Sequence, residues 1–319
     1  MMKIGILTSG GDAPGMNAAL RAVVRTAVYH NIPIYGINNG YAGLLEKDII
    51  PLTVYSVANI IQLGGTILRS SRSEFFQTVT GQKTATRILE EYGIDHLVVI
   101  GGDGSLKGAM ALKELGVNVM GIPATIDNDF GASDFNIGFD TAVNTAIDAI
   151  SKIRDTTYSH NRINVVQVMG RKCGDIALYA GFSVGAEIVI VPEVEYDFED
   201  ICNTLLRGKE RGKMHNIVML AEGRGSYRDY IVPIEERTRV TTRGTNLGYI
   251  QRGGSPSHYD RNIAGNMGYH AVEAIIKNQS GGVIVKRNGN YINMPLEEAL
   301  EVPKVFNKDL YDKIRILSI

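Results

Sequence analysis

A chain of 319 residues, 44% hydrophobic and 21% charged with 36 glycines, can bury a large core as one large or two medium domains. Its formal charge of −1 leaves no basic excess for non-specific nucleic-acid binding, and its two cysteines, Cys173 and Cys202, offer neither a disulfide framework nor a metal pattern. No apolar run approaches membrane-spanning length, and the short run Ile4 to Leu7 leaves no room for a signal-peptide core, so the sequence reads as a cytoplasmic protein with no membrane or nucleic-acid partner.

The chain begins with a strand, Lys3 to Thr8, a Gly-rich turn, Ser9 to Gly15, and a helix from about Asn17 to Tyr29. A strand feeding a helix through glycines puts backbone N–H groups at the strand end, an anion site in outline. It matches neither the G-x-G-x-x-G fingerprint nor the Lys-bearing nucleotide loop. Arg21 and Arg25 share a face of this helix, where solvated charges are the plain reading. Ile32 to Ile37 reads as a second strand and Val54 to Leu63 as a helix ending at Gly64-Gly65. The Gly/Ser-rich segment Gly64 to Arg72 carries two arginines, a composition suited to a loop beside a ligand.

The next unit repeats the first: strand His96 to Ile100, turn Gly101-Gly102-Asp103-Gly104-Ser105, helix Lys107 to Leu115. Such glycines let a polyphosphate approach, and one carboxylate at the strand end can hold Mg²⁺, which makes Asp103 the metal candidate. A third apolar segment, Val117 to Ile122, runs through Pro123 into Thr125-Ile126-Asp127-Asn128-Asp129, two carboxylates on what reads as an exposed loop. A loop of that kind can hold a base; taken alone it also describes a turn that caps the next helix.

Phe139 to Asp155 has helical periodicity, Ile163 to Val168 is a β-branched strand, and Met169 to Gly174 is a turn into another helix. Glu187 to Val191 and Ile217 to Ala221 read as strands, the latter ending at Glu222-Gly223-Arg224-Gly225. The stretch Thr242 to Pro256 brings two more arginines beside glycines, a helix from about Asp260 to Lys277 follows, and Val283 to Ile292 reads as a hairpin around Asn288-Gly289. The last twenty or so residues look helical. Strands alternating with helices predict an α/β protein with mostly parallel sheets, whose ligands sit outside the carboxyl ends of the strands.

The run Thr8 to Ala19, with Gly101 to Ser105, Thr125 to Asp129, Met169-Gly170-Arg171 and Gln251 to Pro256, resembles the bacterial ATP-dependent 6-phosphofructokinase family. The resemblance is ordered and runs from near residue 3 to the C-terminus. It implies a homotetramer whose subunits have two similar three-layer αβα domains with the active site in the cleft between them. The larger, ATP-binding domain would take 1–138 and 252–305; the smaller, sugar-phosphate domain 139–251 and 306–319. The implied reaction moves phosphate from ATP to the C1 hydroxyl of fructose 6-phosphate.

Residue by residue, the resemblance makes Asp127 the base, with Thr125, Arg171 and Asp129 beside it in the catalytic group. Asp103 would hold Mg²⁺, and Gly11, Arg72, Ser73, Gly102, Gly104, Ser105 and Gly108 would form the ATP cleft with it. Thr125, Ile126, Asp127, Met169, Gly170, Arg171, Glu222, Arg243 and Tyr249 would meet the sugar phosphate, with Arg162 and Arg252 as phosphate clamps, Arg162 from a neighbouring subunit. An effector site for ADP or phosphoenolpyruvate would use Arg21, Arg25, Arg154, Gly185, Glu187, Arg211, Lys213 and His215.

Departures from the family pattern set further expectations. Ala124 stands where ATP users carry Gly and pyrophosphate users Lys, a change that strains the chain only if φ is positive there, while Gly104 favours ATP over pyrophosphate. Tyr249 replaces a His, which predicts weaker sugar-phosphate binding, and Val54, Ala58 and Asn59 replace polar or charged neighbours of the effector, which predicts a weakened effector site. Two alternatives stay beside the ATP-dependent kinase: a pyrophosphate-dependent kinase, and a catalytically silent sugar-phosphate-binding regulatory subunit.

Overall fold

The computed structural model describes residues 2–213 and 215–318. In chain order the first elements are β1 (Ile4–Ser9), α1 (Met16–Tyr29), β2 (Ile34–Ile37), α2 (Gly40–Leu45), β3 (Ile49–Leu52) and α3 (Val79–Tyr92). Then come β4 (His96–Gly101), α4 (Asp103–Glu114), β5 (Asn118–Pro123), α5 (Phe139–Ser159), β6 (Ile163–Val168), α6 (Asp175–Val184) and β7 (Ile188–Ile190). The remainder is α7 (Phe198–Glu210), β8 (Asn216–Ala221), α8 (Arg228–Thr238), β9 (Thr242–Asn246), α9 (His258–Ile276), β10 (Gly282–Arg287), β11 (Asn290–Pro295), α10 (Leu296–Glu301) and α11 (Lys308–Leu317).

Two compact units divide the chain: 1–126, 130–141 and 252–304 form the first, and 127–129, 142–251 and 305–319 the second. The first has a seven-stranded sheet in the order β11-β10-β5-β4-β1-β2-β3, parallel at its centre and antiparallel only where β3 and β11 close its edges. Its central strands are apolar on both faces, as a sheet covered by helices on both sides requires. Leu7, Val99, Val119 and Val283 point into a core shared with α2, α3, α4 and α10, while α1 and α9 pack on each other and against the other face. The second unit has four parallel strands, β7-β8-β6-β9, with Val165, Val218 and Leu220 packed on Ile201, Leu205, Tyr230 and Ile234 of α7 and α8. This is the α/β class with mostly parallel sheets that the alternation predicts.

Local readings differ from the structure at several points: 302–307 is not helical, and Asp127 is buried where its loop reads as exposed. Val54–Leu63 is not a helix but a run of turns, because Val57 and Ile60 are buried from successive turns and Asn59 takes a left-handed φ of 56°. The second Gly-rich turn is shorter than its sequence indicates: α4 begins at Asp103, which places that carboxylate in the first helical turn, where the helix dipole favours it. Thr242–Asn246 is a strand despite lacking apolar alternation, since it pairs with β6 alone at the sheet's edge.

Candidate active site

In the first unit, β1 and β4 lie side by side in parallel register, Ser9 opposite Gly101, so their two Gly-rich turns emerge together at the strands' carboxyl ends. Gly11 lies under the guanidinium of Arg252; a Cβ there would meet Arg252 Nη1 at 2.3 Å, so a larger residue would require that arginine to move. Arg252 Nη1 also lies 3.9 Å from Asp12 Oδ1. The structure thus puts Arg252 beside the first turn, within the unit that carries the nucleotide-cleft candidates.

The turn of Gly102 to Ser105 opens α4 with Asp103 paired to Lys107 at 2.7 Å. Gly108 backs onto Tyr41, whose ring would clash with a Cβ at 2.8 Å. Tyr41 is stacked on Phe76 with ring centroids 3.9 Å apart, and its hydroxyl donates to Ser105 O at 2.8 Å. Burial pushes the Tyr41 phenol far above its ordinary range, so it stays a neutral donor. This aromatic wall is a part of the site that sequence reasoning missed; two residues 35 apart carry no local signal. Arg72 is exposed and Ser73 accepts from Phe76 N at 3.1 Å, on a segment tied to the first turn where Ser70 Oγ donates to Gly10 O at 2.7 Å.

Thr125 follows β5, with its side chain beside Gly102, and its N–H donates to Ile137 O at 3.0 Å. Ala124 is extended backbone in a β-bridge with Ile137, so its methyl meets no left-handed strain. Ile126 is buried.

The second unit gathers the remaining chemistry at the carboxyl ends of its strands. Asp127 is buried, and Arg171 Nε stands 3.2 Å from its Oδ2. Asn128, in the left-handed region at φ 54°, donates to Asp175 Oδ2 at 2.7 Å, which anchors the loop of Asp127 and Asp129 to the start of α6. The loop of Met169, Gly170 and Arg171 after β6 is held from two sides. Glu222 Oε1 accepts from Gly170 N at 3.2 Å and Arg171 N at 2.8 Å, and Gln251, fully buried, accepts from Met169 N at 3.2 Å. Gln251 also donates to Gly248 O at 3.0 Å, which fixes the turn that displays Tyr249, 82% exposed. Gln251 as a brace is a second feature that the sequence did not reveal.

Two sugar-phosphate candidates lie elsewhere. Arg162 precedes β6, and Arg243 pairs with Asn164 near the amino end of the same strand, so both stand toward the opposite end of the sheet from Met169–Arg171. A strand of six residues spans about 20 Å. Within one chain these arginines do not join the Asp127 group.

The effector candidates of the second unit cluster at the amino ends of β7 and β8. Arg154 Nη2 donates to Val184 O at 2.6 Å beside Gly185, Glu187 Oε1 meets Lys213 Nζ at 2.5 Å, and His215 packs edge-on against Tyr158. Arg211 lies on the turn after α7. Burial, then the charge of Arg154, hold the His215 imidazole below its ordinary range, with Glu187 opposing them and Lys213 adding to them. Arg21 and Arg25 lie on α1 of the first unit; burial and the Arg25 charge hold Arg21 below the usual guanidinium range.

A parallel α/β fold with paired Gly-rich turns, a helix-opening carboxylate and a buried Asp against an Arg defines a phosphate-handling enzyme class. Residues 3–275 match the phosphofructokinase family model. The chain is 54% identical to an ATP-dependent 6-phosphofructokinase of Clostridium tetani and 53% identical to one of Clostridium botulinum, each over 318 residues and 100% of both chains. Its fold is similar to a phosphofructokinase structure from Saccharomyces cerevisiae, with a TM-score of 0.88 and 31% identity over 100% of this chain and 48% of the yeast one, so it spans about half the yeast chain's length. The chain belongs to the phosphofructokinase family.

Proposed function

We propose that this chain is an ATP-dependent kinase that transfers the γ-phosphoryl group of ATP to the C1 hydroxyl of fructose 6-phosphate, giving fructose 1,6-bisphosphate and ADP. The observation that carries the reading is the buried Asp127 carboxylate within ion-pair reach of Arg171, on the loop that follows Thr125. A carboxylate so placed can take the hydroxyl proton as the oxygen attacks phosphorus, while the guanidinium fork neutralises charge on the phosphoryl oxygens. The O–P bond to the sugar forms as the bond to the ADP oxygen breaks, and the proton resides on Asp127. Thr125 and Asp129 flank it, with Ile126 between them, and Met169, Gly170, Glu222 and Tyr249 shape the sugar-phosphate side.

Gly11, Arg72, Ser73, Gly102, Gly104, Ser105 and Gly108 form the nucleotide side with Asp103. A Cβ at Gly104 would meet nothing within 4 Å, so this turn leaves open space for a nucleotide. Asp103 suits Mg²⁺ because it is a partly exposed carboxylate in the first turn of α4, and Mg²⁺ in phosphoryl transfer uses one or two carboxylates together with the phosphates. When bound there, Mg²⁺ would supply positive charge that offsets the negative charge of the phosphates. Lys107, now paired with Asp103, would yield that carboxylate to it.

Arg162 and Arg243 support a site completed by a second copy of the chain, since their own Asp127 group lies toward the other end of the sheet. A homotetramer acting in the cytoplasm fits this reading; no helix among the described residues is long and apolar enough to cross a membrane. Arg21, Arg25, Arg154, Gly185, Glu187, Arg211, Lys213 and His215 would bind ADP or phosphoenolpyruvate as effectors, weakly because Val54 brings no charge. Activity measured with fructose 6-phosphate and Mg²⁺, once with ATP and once with pyrophosphate, tests the donor. Turnover with ATP alone supports the reading, and turnover with pyrophosphate alone refutes it.

A further inference from the structure

Gln251 is fully buried, and both ends of its amide are used within the second unit. Its Oε1 accepts from Met169 N at 3.2 Å, on the loop after β6, and its Nε2 donates to Gly248 O at 3.0 Å, on the turn after β9. An N–H on one side and a carbonyl on the other fix the orientation of the amide, and a side chain that only donates or only accepts could not serve both. β6 and β9 are parallel neighbours, and backbone bonds join them as far as Leu247 N, which donates to Gln167 O at 3.0 Å. Beyond that point the Gln251 amide takes over the connection.

What each segment carries makes the connection matter. The loop of Met169 to Arg171 has all three of its backbone N–H groups taken by side chains, Met169 by Gln251 and Gly170 and Arg171 by Glu222. Gly223 lies close behind it, where a Cβ would meet Arg171 O at 2.3 Å. With its amides occupied, the loop offers an arriving phosphoryl group the Arg171 guanidinium, which stands exposed beside Asp127. The turn of Gly248 to Gln251 displays Tyr249 to solvent, and its other tie is Asn246 Oδ1, which accepts from Gly248 N. Of these supports, Gln251 alone touches both segments.

We propose that Gln251 is a positioning residue that couples the Tyr249 turn to the Arg171 loop, so that a sugar phosphate seated at the turn also steadies the guanidinium that meets the transferring phosphoryl group. Its part in catalysis rests on the reaction proposed above; the coupling of the two segments does not.

Hydrogen exchange followed by mass spectrometry, on the full-length protein without substrate, tests the coupling. Gln251→Met nearly conserves volume and removes both bonds, and should speed amide exchange about tenfold in the peptides holding 169–171 and 248–251 alike. Asn246→Ala, at an exposed position, loosens the turn and leaves Gln251 in place, so it tests the coupling even where Gln251→Met does not fold. It should speed exchange at 169–171 by about threefold, and should add nothing there in the Gln251→Met background. In steady-state kinetics, Gln251→Met should raise KM for fructose 6-phosphate and lower kcat, each about tenfold. Faster exchange confined to the turn in either folded variant would overturn the proposal. So would a lower thermal midpoint of Gln251→Met with kcat and KM unchanged, which would make Gln251 merely structural. A wild type without turnover would count against the proposed reaction, and exchange would still decide the coupling.

Discussion

Arg171 Nε lies 3.2 Å from Asp127 Oδ2, the carboxylate 3% exposed and the guanidinium 57% exposed. The pair therefore has an inner member that water barely reaches and an outer one that faces arriving ligand. Burial opposes the charged form of Asp127, and the arginine offsets that penalty. Arg171 also has a left-handed backbone, φ 53°, which strains a side-chain-bearing residue and marks the loop as held by its surroundings.

Replacing Arg171 by Ala should lower kcat more than it raises KM for ATP, by about a hundredfold or more, because the charge is needed most as the phosphoryl group transfers. Steady-state kinetics with both substrates varied check this. An unchanged kcat with a raised KM would assign Arg171 to ground-state binding instead.

Glu222 accepts two backbone N–H groups of the Arg171 loop through one oxygen, so its acceptor geometry is separable from its charge. Glu222→Gln should retain most of the loop's position, whereas Glu222→Ala should cost about 1–3 kcal/mol of stability and lower kcat. Denaturant unfolding alongside kinetics distinguishes them. Equal damage from both variants would mean that the charge itself meets substrate.

Tyr249 presents a phenol to solvent, and the turn beneath it is fixed by Gln251 and by Asn246, whose Oδ1 accepts from Gly248 N at 3.0 Å. Tyr249→His should lower KM for fructose 6-phosphate below neutral pH, where the imidazole becomes cationic. A KM that stays constant from pH 6 to 8 in the variant would remove Tyr249 from the sugar-phosphate contacts.

Asp260 binds the chain end that opens α5, accepting from Gly138 N at 2.8 Å, Thr141 N at 2.8 Å and Thr141 Oγ1 at 2.5 Å. Burial outweighs these three bonds and pushes its carboxyl from the ordinary 3.8 up to about 6, with Asp140 adding to the rise. Between those two values the folded chain keeps a proton that the unfolded chain has lost. This group's contribution is therefore greatest at low pH and falls as pH rises toward and through 6. The stability advantage of the wild type over Asp260→Asn should shrink from pH 4 to pH 7 by about 3 kcal/mol at most. An advantage that grows across that window would contradict the account; thermal unfolding of both proteins measures it.

Much of the fold could be read because buried parallel strands such as Ile4–Ser9 and His96–Gly101 are short apolar runs ending in glycines. Thr242–Asn246 could not, since its pairing with β6 rests on backbone hydrogen bonds that polar residues satisfy equally well. The 14 residues of Val79–Tyr92 went unread because Thr78, Gly81 and several polar residues make their opening look like a loop; the structure shows Thr78 capping the helix through Gly81 N. At the candidate site, the chemistry-bearing residues sit in local motifs and are visible in sequence. What holds them is not: Gln251 reaches a residue 82 positions away, and the placement of Arg162 and Arg243 toward the far end of the sheet depends on strand register.

The central claim is that Asp127 takes the proton of the attacking hydroxyl. Its most direct test is the pH dependence of kcat for the wild type beside Asp127→Asn, with fructose 6-phosphate and Mg-ATP saturating. The claim predicts that the variant binds fructose 6-phosphate while its kcat falls by about a hundredfold or more and loses the acidic limb set by the carboxylate. A variant with near-wild-type kcat and an unaltered acidic limb would contradict it.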